Sequence, residues 1–380
     1  MLSTNVSKVA ETKKHPLSTK CSVHSFALLR FYLLFLQSIR LIFQVNSMST
    51  YRNIGSTAFS VLLNVSVKCI AESFVCLYTI LLNVIIIGSL VYIKRHRNTQ
   101  NLLLINVSIA CIVFSLSCLL SICLTIWILY HQSVPTFACQ FIAFIVISSC
   151  HCLMFSYTLV TFVRFLTIIY PFNRKITSVR SIQVYLVTKW ILAFLLPSIS
   201  FLLPNHEIIF QPKAKICTVN QQSPVLILLF STGYIIPLIS ISLMNLITYL
   251  NVTRSRQTLG MSQSKLFRLN KRKRRNLRLL RQFSMFTVFF FFGWAPFIIV
   301  EVVDKEEKLA DAYYLFTLLL PSICVLIDSH VLLYWNKSIS HQICLWWRVL
   351  IGQNQFISHE PVEQTRSPVD VSCTYMHSDV

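Results

Sequence analysis

The sequence predicts an all-α membrane protein, a bundle of seven transmembrane helices with its amino terminus outside and its carboxyl terminus inside. Three observations predict it. Of 380 residues, 55% are apolar and only 12% charged, where a soluble domain carries about a quarter charged residues. The apolar residues gather into runs of about 18 or more, long enough to cross a bilayer with every backbone polar group bonded inside the helix. The connections between the runs alternate in charge, with seventeen Lys and Arg on one set and four on the other. Short positive connections stay in the cytoplasm, which sets the orientation. A soluble domain, a disordered tail and a nucleic-acid-binding module are excluded despite a formal charge of +21, and six glycines leave little room for a glycine-rich phosphate loop.

In order, the runs are 69–93, 101–129, 139–166, 182–203, 224–250, 279–303 and 311–335. Lys94, Arg95 and Arg97 follow the first; Arg174, Lys175 and Arg180 follow the third. Between the fifth and sixth lies the densest basic stretch, from Arg254 to Arg281, with Lys271–Arg275 at its centre. Beside a membrane such a cluster attracts anionic inner-leaflet lipid and acidic partner surfaces rather than nucleic acid. The opposite connections hold only Lys213, Lys215, Lys305 and Lys308. The expected organisation is an outer segment 1–67, a bundle 68–338, and an amphipathic helix with cytoplasmic tail 339–380.

Residues 26–45 are apolar but carry Arg30, Gln37 and Arg40. Each central Arg opposes insertion by about 2.5–3.5 kcal/mol, against about 0.3–0.6 gained per Leu or Ile. Three readings stay open: a signal-anchor-like segment, an interfacial helix, or an extension upstream of a start near Met48. Past the seventh run, Ile339, Ile343, Trp346, Trp347 and Leu350 form an amphipathic stretch around Cys344, a candidate for palmitoylation.

Most of the thirteen cysteines fall inside runs, where a buried thiol acts as a small apolar side chain. No spacing suggests a zinc site, and no metal or cofactor is expected. Cys139 and Cys217 differ. Both are placed at the outer face, where a disulfide persists, and a bridge would tie the fourth–fifth connection over the mouth of the bundle. Ionisable groups within the runs are functional candidates because their burial is unfavourable: Glu72, His151, Arg164, Glu301 and Asp328. His151 is expected to be a satisfied core residue. Lys189 is expected to snorkel to the inner boundary.

Over residues 69–345 the pattern resembles the rhodopsin-like family of G-protein-coupled receptors. The resemblance rests on Asn83 in the first run, Asn101-Leu-Leu-Leu-Ile-Asn106-Val-Ser-Ile-Ala110-Cys111 in the second, and Cys139 and Arg164 at the family's spacing of 25 in the third. Trp190, Pro237 and Phe290-Phe-Phe-Gly293-Trp294-Ala-Pro296 mark the fourth, fifth and sixth. It implies a plasma-membrane receptor that passes an extracellular ligand's binding to a heterotrimeric G protein, without enzymatic activity. Trp294, Pro296 and Phe290, with Pro237, Met154 and Asp328, would form the activation switch. Arg164, Arg274 and Arg278 would meet the G protein. Val146, Cys150, Phe297, Leu318 and Glu301 would line the ligand pocket.

The departures matter as much. Cys111 stands where the family has an Asp, Val163 where an acid precedes the arginine, and Phe165 where a Tyr follows it. Asp328-Ser329-His330-Val331-Leu332 replaces Asn-Pro-x-x-Tyr, and Asn245 stands at the position of the fifth helix's tyrosine. Raised basal signalling is the expectation from the lost acid. Val146 occupies the place of the amine-binding Asp, which argues against a small amine. Ser322 occupies the place of the retinal-binding Lys, which excludes an opsin. Glu301 lies two helical turns outward of Trp294 on the same face, beside an acidic connection with Asp304, Glu306, Glu307 and Asp311. Residues 208–219 alternate as a strand hairpin would. A small basic peptide is therefore the expected ligand, against a reading of these charges as solvated loop residues. The rival classes are a secondary transporter, an intramembrane enzyme, and a seven-span protein that binds ligand without activating a G protein.

Overall fold

The computed structural model describes residues 57–92, 99–131, 133, 135–170, 176, 178–202, 208–254, 284, 285, 287–304, 309–336, 339, 340, 342 and 343. Helix α1 spans Thr57–Tyr92, α2 Thr99–His131, α3 Thr136–Ile169 and α4 Val179–Leu202. A hairpin follows, β1 Ile208–Gln211 and β2 Ile216–Val219. Helix α5 runs from Pro224–Phe230 through a π turn at Ser231–Ile235 into Ile236–Arg254. Helix α6 covers Thr287–Val303 and α7 covers Asp311–Trp335. Six of these are long and apolar enough to span a membrane, and α6 is a shorter apolar helix. Its expected beginning, 279–283, lies outside the described residues, as do segment 26–45, the Lys271–Arg275 cluster, Arg274, Arg278 and Cys344.

The helices outrun the apolar runs that announce them. At 33 to 36 residues, α1, α2 and α3 are each about 50 Å long at 1.5 Å per residue, against a hydrocarbon layer of about 30 Å. Helix α1 starts at Thr57 rather than at 69; Lys68, which precedes the apolar run, pairs with Glu72 one turn on at 2.8 Å and so stays inside the helix. At the other end of the bundle's turns, Ser223 caps α5, its Oγ accepting from the Val225 N–H at 3.1 Å, with Pro224 in the first helical position. Serine at the cap followed by proline suits the unsatisfied N–H groups of a helix start.

The bundle closes with α1 against α2 and α7, α2 against α3, and α3 against α4 and α5. One apolar core, including Ile86, Leu103, Leu153, Val160 and Val325, runs through it. Large apolar side chains also cover the outside: Ile70, Phe74, Leu120, Val184, Leu243 and Phe292 are all exposed. That distribution fits lipid rather than water as the surrounding solvent.

Buried polar groups then fasten the helices. Asn83 Nδ2 donates to the Thr79 carbonyl at 2.9 Å and to Ser329 Oγ at 2.8 Å, tying α1 to α7. Trp190 Nε1 donates to Asn106 Oδ1 at 3.1 Å, and Asn106 Nδ2 donates to Ser156 Oγ at 3.3 Å, tying α4, α2 and α3 together. Such bonds are each worth about 0.6 kcal/mol in a membrane protein. Thr158, Thr161 and Thr167 donate to carbonyls one turn back, the ordinary way a hydroxyl is satisfied inside a helix.

Lys189 corrects the snorkelling expectation. It is 6% exposed. Its Nζ donates to Ser156 Oγ at 2.6 Å and contacts Cys152 Sγ at 3.3 Å, with the Trp190 ring 4.1 Å away. The lysine faces α3 rather than a membrane boundary, so a hydroxyl and a ring face satisfy its charge where water would otherwise be needed.

The hairpin appears where alternation placed it. Ile208 pairs with Val219 and Gln211 with Ile216. At its turn Lys215 adopts φ 54°, and its N–H donates to the Gln211 carbonyl at 2.9 Å.

Candidate functional site

At the hairpin end a cavity of about 140 Å³ opens between the helices, with β2 as its roof. Helix α3 supplies its longest wall. Ala143, Val146, Ile147, Cys150, His151 and Met154 recur at three- and four-residue spacing, one face of the helix. Phe297 and Leu318 line it from α6 and α7. Four residues expected around a ligand, Val146, Cys150, Phe297 and Leu318, therefore share one cavity. Glu301 does not join them. It is 1% exposed, and its Oε2 accepts from Gln221 Nε2 at 3.2 Å, which ties α6 to the segment after β2 rather than presenting a carboxylate at the mouth.

The roof is held at three places. A Cys139–Cys217 disulfide joins β2 to the start of α3, with Cα atoms 5.4 Å apart. Thr125 Oγ1, on α2, donates to the Lys215 carbonyl at 2.8 Å. Lys213 Nζ donates to the Leu309 carbonyl at 2.9 Å, reaching the α6–α7 connection. That connection is itself closed by Asp304, whose Oδ2 accepts from the Leu309 N–H at 2.9 Å and the Tyr314 hydroxyl at 2.6 Å. Asp304 is thus engaged within the protein, not a free member of an acidic rim.

The floor is aromatic. Trp294 stacks on Phe290 with centroids 5.2 Å apart and planes 12° apart, and Phe114 of α2 packs against it at 5.6 Å. Phe290 in turn touches Tyr157 of α3 at 6.1 Å and Tyr234 of α5 at 5.6 Å. The Tyr157 hydroxyl donates to Asp328 Oδ2 at 3.0 Å. A contact path therefore runs from the cavity through Trp294, Phe290 and Tyr157 to Asp328 on α7, beside Ser329 and its bond to Asn83. Met154 lines both this cavity and a void of about 10 Å³ beneath Phe290, bounded also by Thr161, Ile241 and Thr287. Pro237 is buried in α5 just after the π turn, and Pro296 is half-buried in α6.

His151 behaves as a satisfied core residue. Its Nδ1 lies 2.9 Å from the Ile147 carbonyl and its Nε2 3.5 Å from Thr232 Oγ1. The π turn brings Gly233 against this ring, where an added Cβ would sit 2.6 Å from Nε2.

One polar pair on the wall was only half visible beforehand. Lys68 and Glu72 of α1 line the cavity, with Nζ 2.8 Å from Oε2, and Ser322 Oγ donates to Glu72 Oε1 at 3.4 Å. The four-residue spacing that pairs opposite charges on a helix is present in the sequence. Drawing the first span from residue 69 left Lys68 outside it. Tyr157 was missed because nothing local marks a tyrosine that meets an acid 171 residues away.

The sequence model of the 7 transmembrane receptor (rhodopsin family) matches residues 82–328. The chain belongs to the rhodopsin family of seven-transmembrane receptors. The solved structure of squid rhodopsin superposes with a TM-score of 0.61 over 76% of this chain and 86% of that one, at 13% identity, which shows the shared fold. Comparison with curated protein sequences finds no match. This is a multi-pass membrane receptor rather than an enzyme, and the disulfide joins the start of the third helix to the hairpin that follows the fourth. Within the receptor's frame Arg164 is half-buried at the end of α3 opposite the disulfide, and Val163 before it packs into the apolar core. Cys111 is buried on α2 while the carboxylate stands instead at Asp328 on α7, 2% exposed.

Proposed function

We propose that this receptor resides in the plasma membrane with its amino terminus outside, binds an extracellular ligand under the hairpin, and activates a heterotrimeric G protein at the opposite end. The observation that carries the reading is the contact path from the cavity floor, Trp294–Phe290–Tyr157–Asp328. A ligand that fits the cavity better in one arrangement of α6 than in another shifts the bundle's population toward it. Trp294 and Phe290 sense the occupant directly. Pro296 and Pro237 interrupt the hydrogen-bond ladders of α6 and α5, so these helices bend at those levels. The inner end of α6 then moves relative to α3, and Arg164 with the basic stretch holding Arg274 and Arg278 receives the G protein. Cys344 anchors the amphipathic stretch to the inner leaflet through a palmitoyl chain.

The ligand we propose is a small peptide with basic residues. The strand hairpin offers an extended surface above the cavity, and by its sequence the α6–α7 connection adds Glu306 and Glu307 to the engaged Asp304, a negative balance that raises the local concentration of cations. With Glu301 held by Gln221, the basic contacts fall to that connection, and one apolar group of the peptide enters the cavity.

Expression in cells with a promiscuous G-protein reporter, screened against a neuropeptide panel, tests this. A peptide response abolished by Arg164→Ala at unchanged surface expression is the expected result. Peptide binding without any second-messenger response in the unaltered receptor would favour a binding protein that does not signal.

A further inference from the structure

Lys68 and Glu72 are 7% and 6% exposed, and both face the cavity from α1. Together they form a wall that is dipolar yet carries no net charge. A ligand ammonium placed there repels Lys68, and a carboxylate repels Glu72. Either would leave surplus charge in a water-poor site or break the 2.8 Å pair, and a buried charge parted from its partner is strongly unfavourable. A head group that carries a donor and an acceptor on neighbouring atoms, and no charge, meets neither obstacle. It lies across the pair, giving an N–H to Glu72 and taking one from Lys68.

The rest of the wall, including Phe114, Val146, Phe297 and Leu318, is apolar. About 140 Å³ is the scale of cavity that takes one benzene-sized group.

We propose that the Lys68–Glu72 pair selects a ligand whose buried end is an uncharged carboxamide on a phenyl-sized apolar body. The inference rests on the cavity being the ligand site. It is independent of whether the receptor couples to a G protein. A peptide whose terminal or side-chain amide enters first satisfies it, with any basic residues remaining at the mouth.

Four probes of one shape test it on the purified full-length receptor by ligand-observed NMR titration: phenylacetamide, phenylacetate, phenethylamine and ethylbenzene. In the unaltered receptor phenylacetamide is expected to bind roughly tenfold more tightly than either charged probe, a difference of one hydrogen-bonded head group. The double substitution Lys68→Met/Glu72→Leu replaces the pair with apolar groups of similar size, a change that folded proteins generally tolerate. It should erase the carboxamide preference while ethylbenzene still binds. Preference for phenethylamine or phenylacetate, or a carboxamide preference that survives the double substitution, overturns the inference while leaving the cavity as ligand site. Failure of all four probes, ethylbenzene included, overturns both.

Discussion

Single atoms decide several features of this bundle. Gly233 is required by contact: a Cβ there would lie 2.6 Å from His151 Nε2 and 2.7 Å from Cε1. Gly233→Ala should lower stability by about 1–3 kcal/mol, the range for overpacking a filled interior. Adding His151→Ala should recover part of the loss, and thermal unfolding of the four proteins in a cycle checks the coupling. The Tyr157–Asp328 bond spans α3 to α7 at 3.0 Å. Tyr157→Phe leaves Asp328 Oδ2 without that donor, which should destabilise the resting bundle by about 1–3 kcal/mol and raise ligand-free signalling. Asp328→Asn keeps an acceptor for the tyrosine and should act more weakly on both readouts. Equal effects of the two substitutions would refute the clamp. At this scale the sequence was least legible. Helix spacing puts Glu301 on the face of Trp294, but its carboxylate meets Gln221, 80 residues away in sequence, and spacing alone does not say which neighbour fills a face. The same holds for Lys189, whose ammonium reaches Ser156 and not the membrane boundary.

Elements were easier to foresee because they rest on length and period. Every span appears within a few residues of its apolar run except at the start of α1, where helix persists to Thr57, and at the start of α6, where 279–283 lies outside the described residues. The hairpin followed from alternation alone. The π turn at Ser231–Ile235 did not, since no residue pattern separates one widened turn from an ordinary helix; only its consequence, Gly233 set against His151, shows what it does. The approach of α6 to α7 is likewise set by one glycine. A Cβ at Gly293 would lie 2.5 Å from Cys324 Cβ and 2.8 Å from its Sγ. Gly293→Ala must therefore part the two helices, and small residues at helix contacts are what allow such closeness in membranes. We expect a loss of about 1–3 kcal/mol in thermal stability together with a changed ligand-free signal. Cys324→Ser should not rescue it, because its Cβ remains, whereas Cys324→Gly should. Rescue by serine would show that the sulfur, not the backbone approach, sets the distance.

For the whole molecule, two independent kinds of observation must agree on which end faces the cytosol. The charge count argues for the connection holding Lys271–Arg275 being inside. The disulfide argues for the hairpin end facing an oxidising compartment. Arg164 lies at the opposite end of α3 from Cys139, so the two criteria name the same face for it. Neither alone is decisive, since a basic connection can be moved by its neighbours and a bridge between close thiols says nothing of the other end. Together they predict that an epitope inserted after Gly260 is stained only in permeabilised cells, while one at the amino terminus is stained on intact ones. They also predict that replacing Arg272, Lys273, Arg274 and Arg275 with Gln leaves ligand binding unchanged and lowers G-protein activation, the outcome expected if these charges meet partners and lipid at the inner face. Staining of the Gly260 insertion on intact cells would place the disulfide on the reducing side, where it would not persist. The cavity under the hairpin would then open toward the cytosol, and the path from Trp294 to Asp328 would have to carry its signal in the other direction.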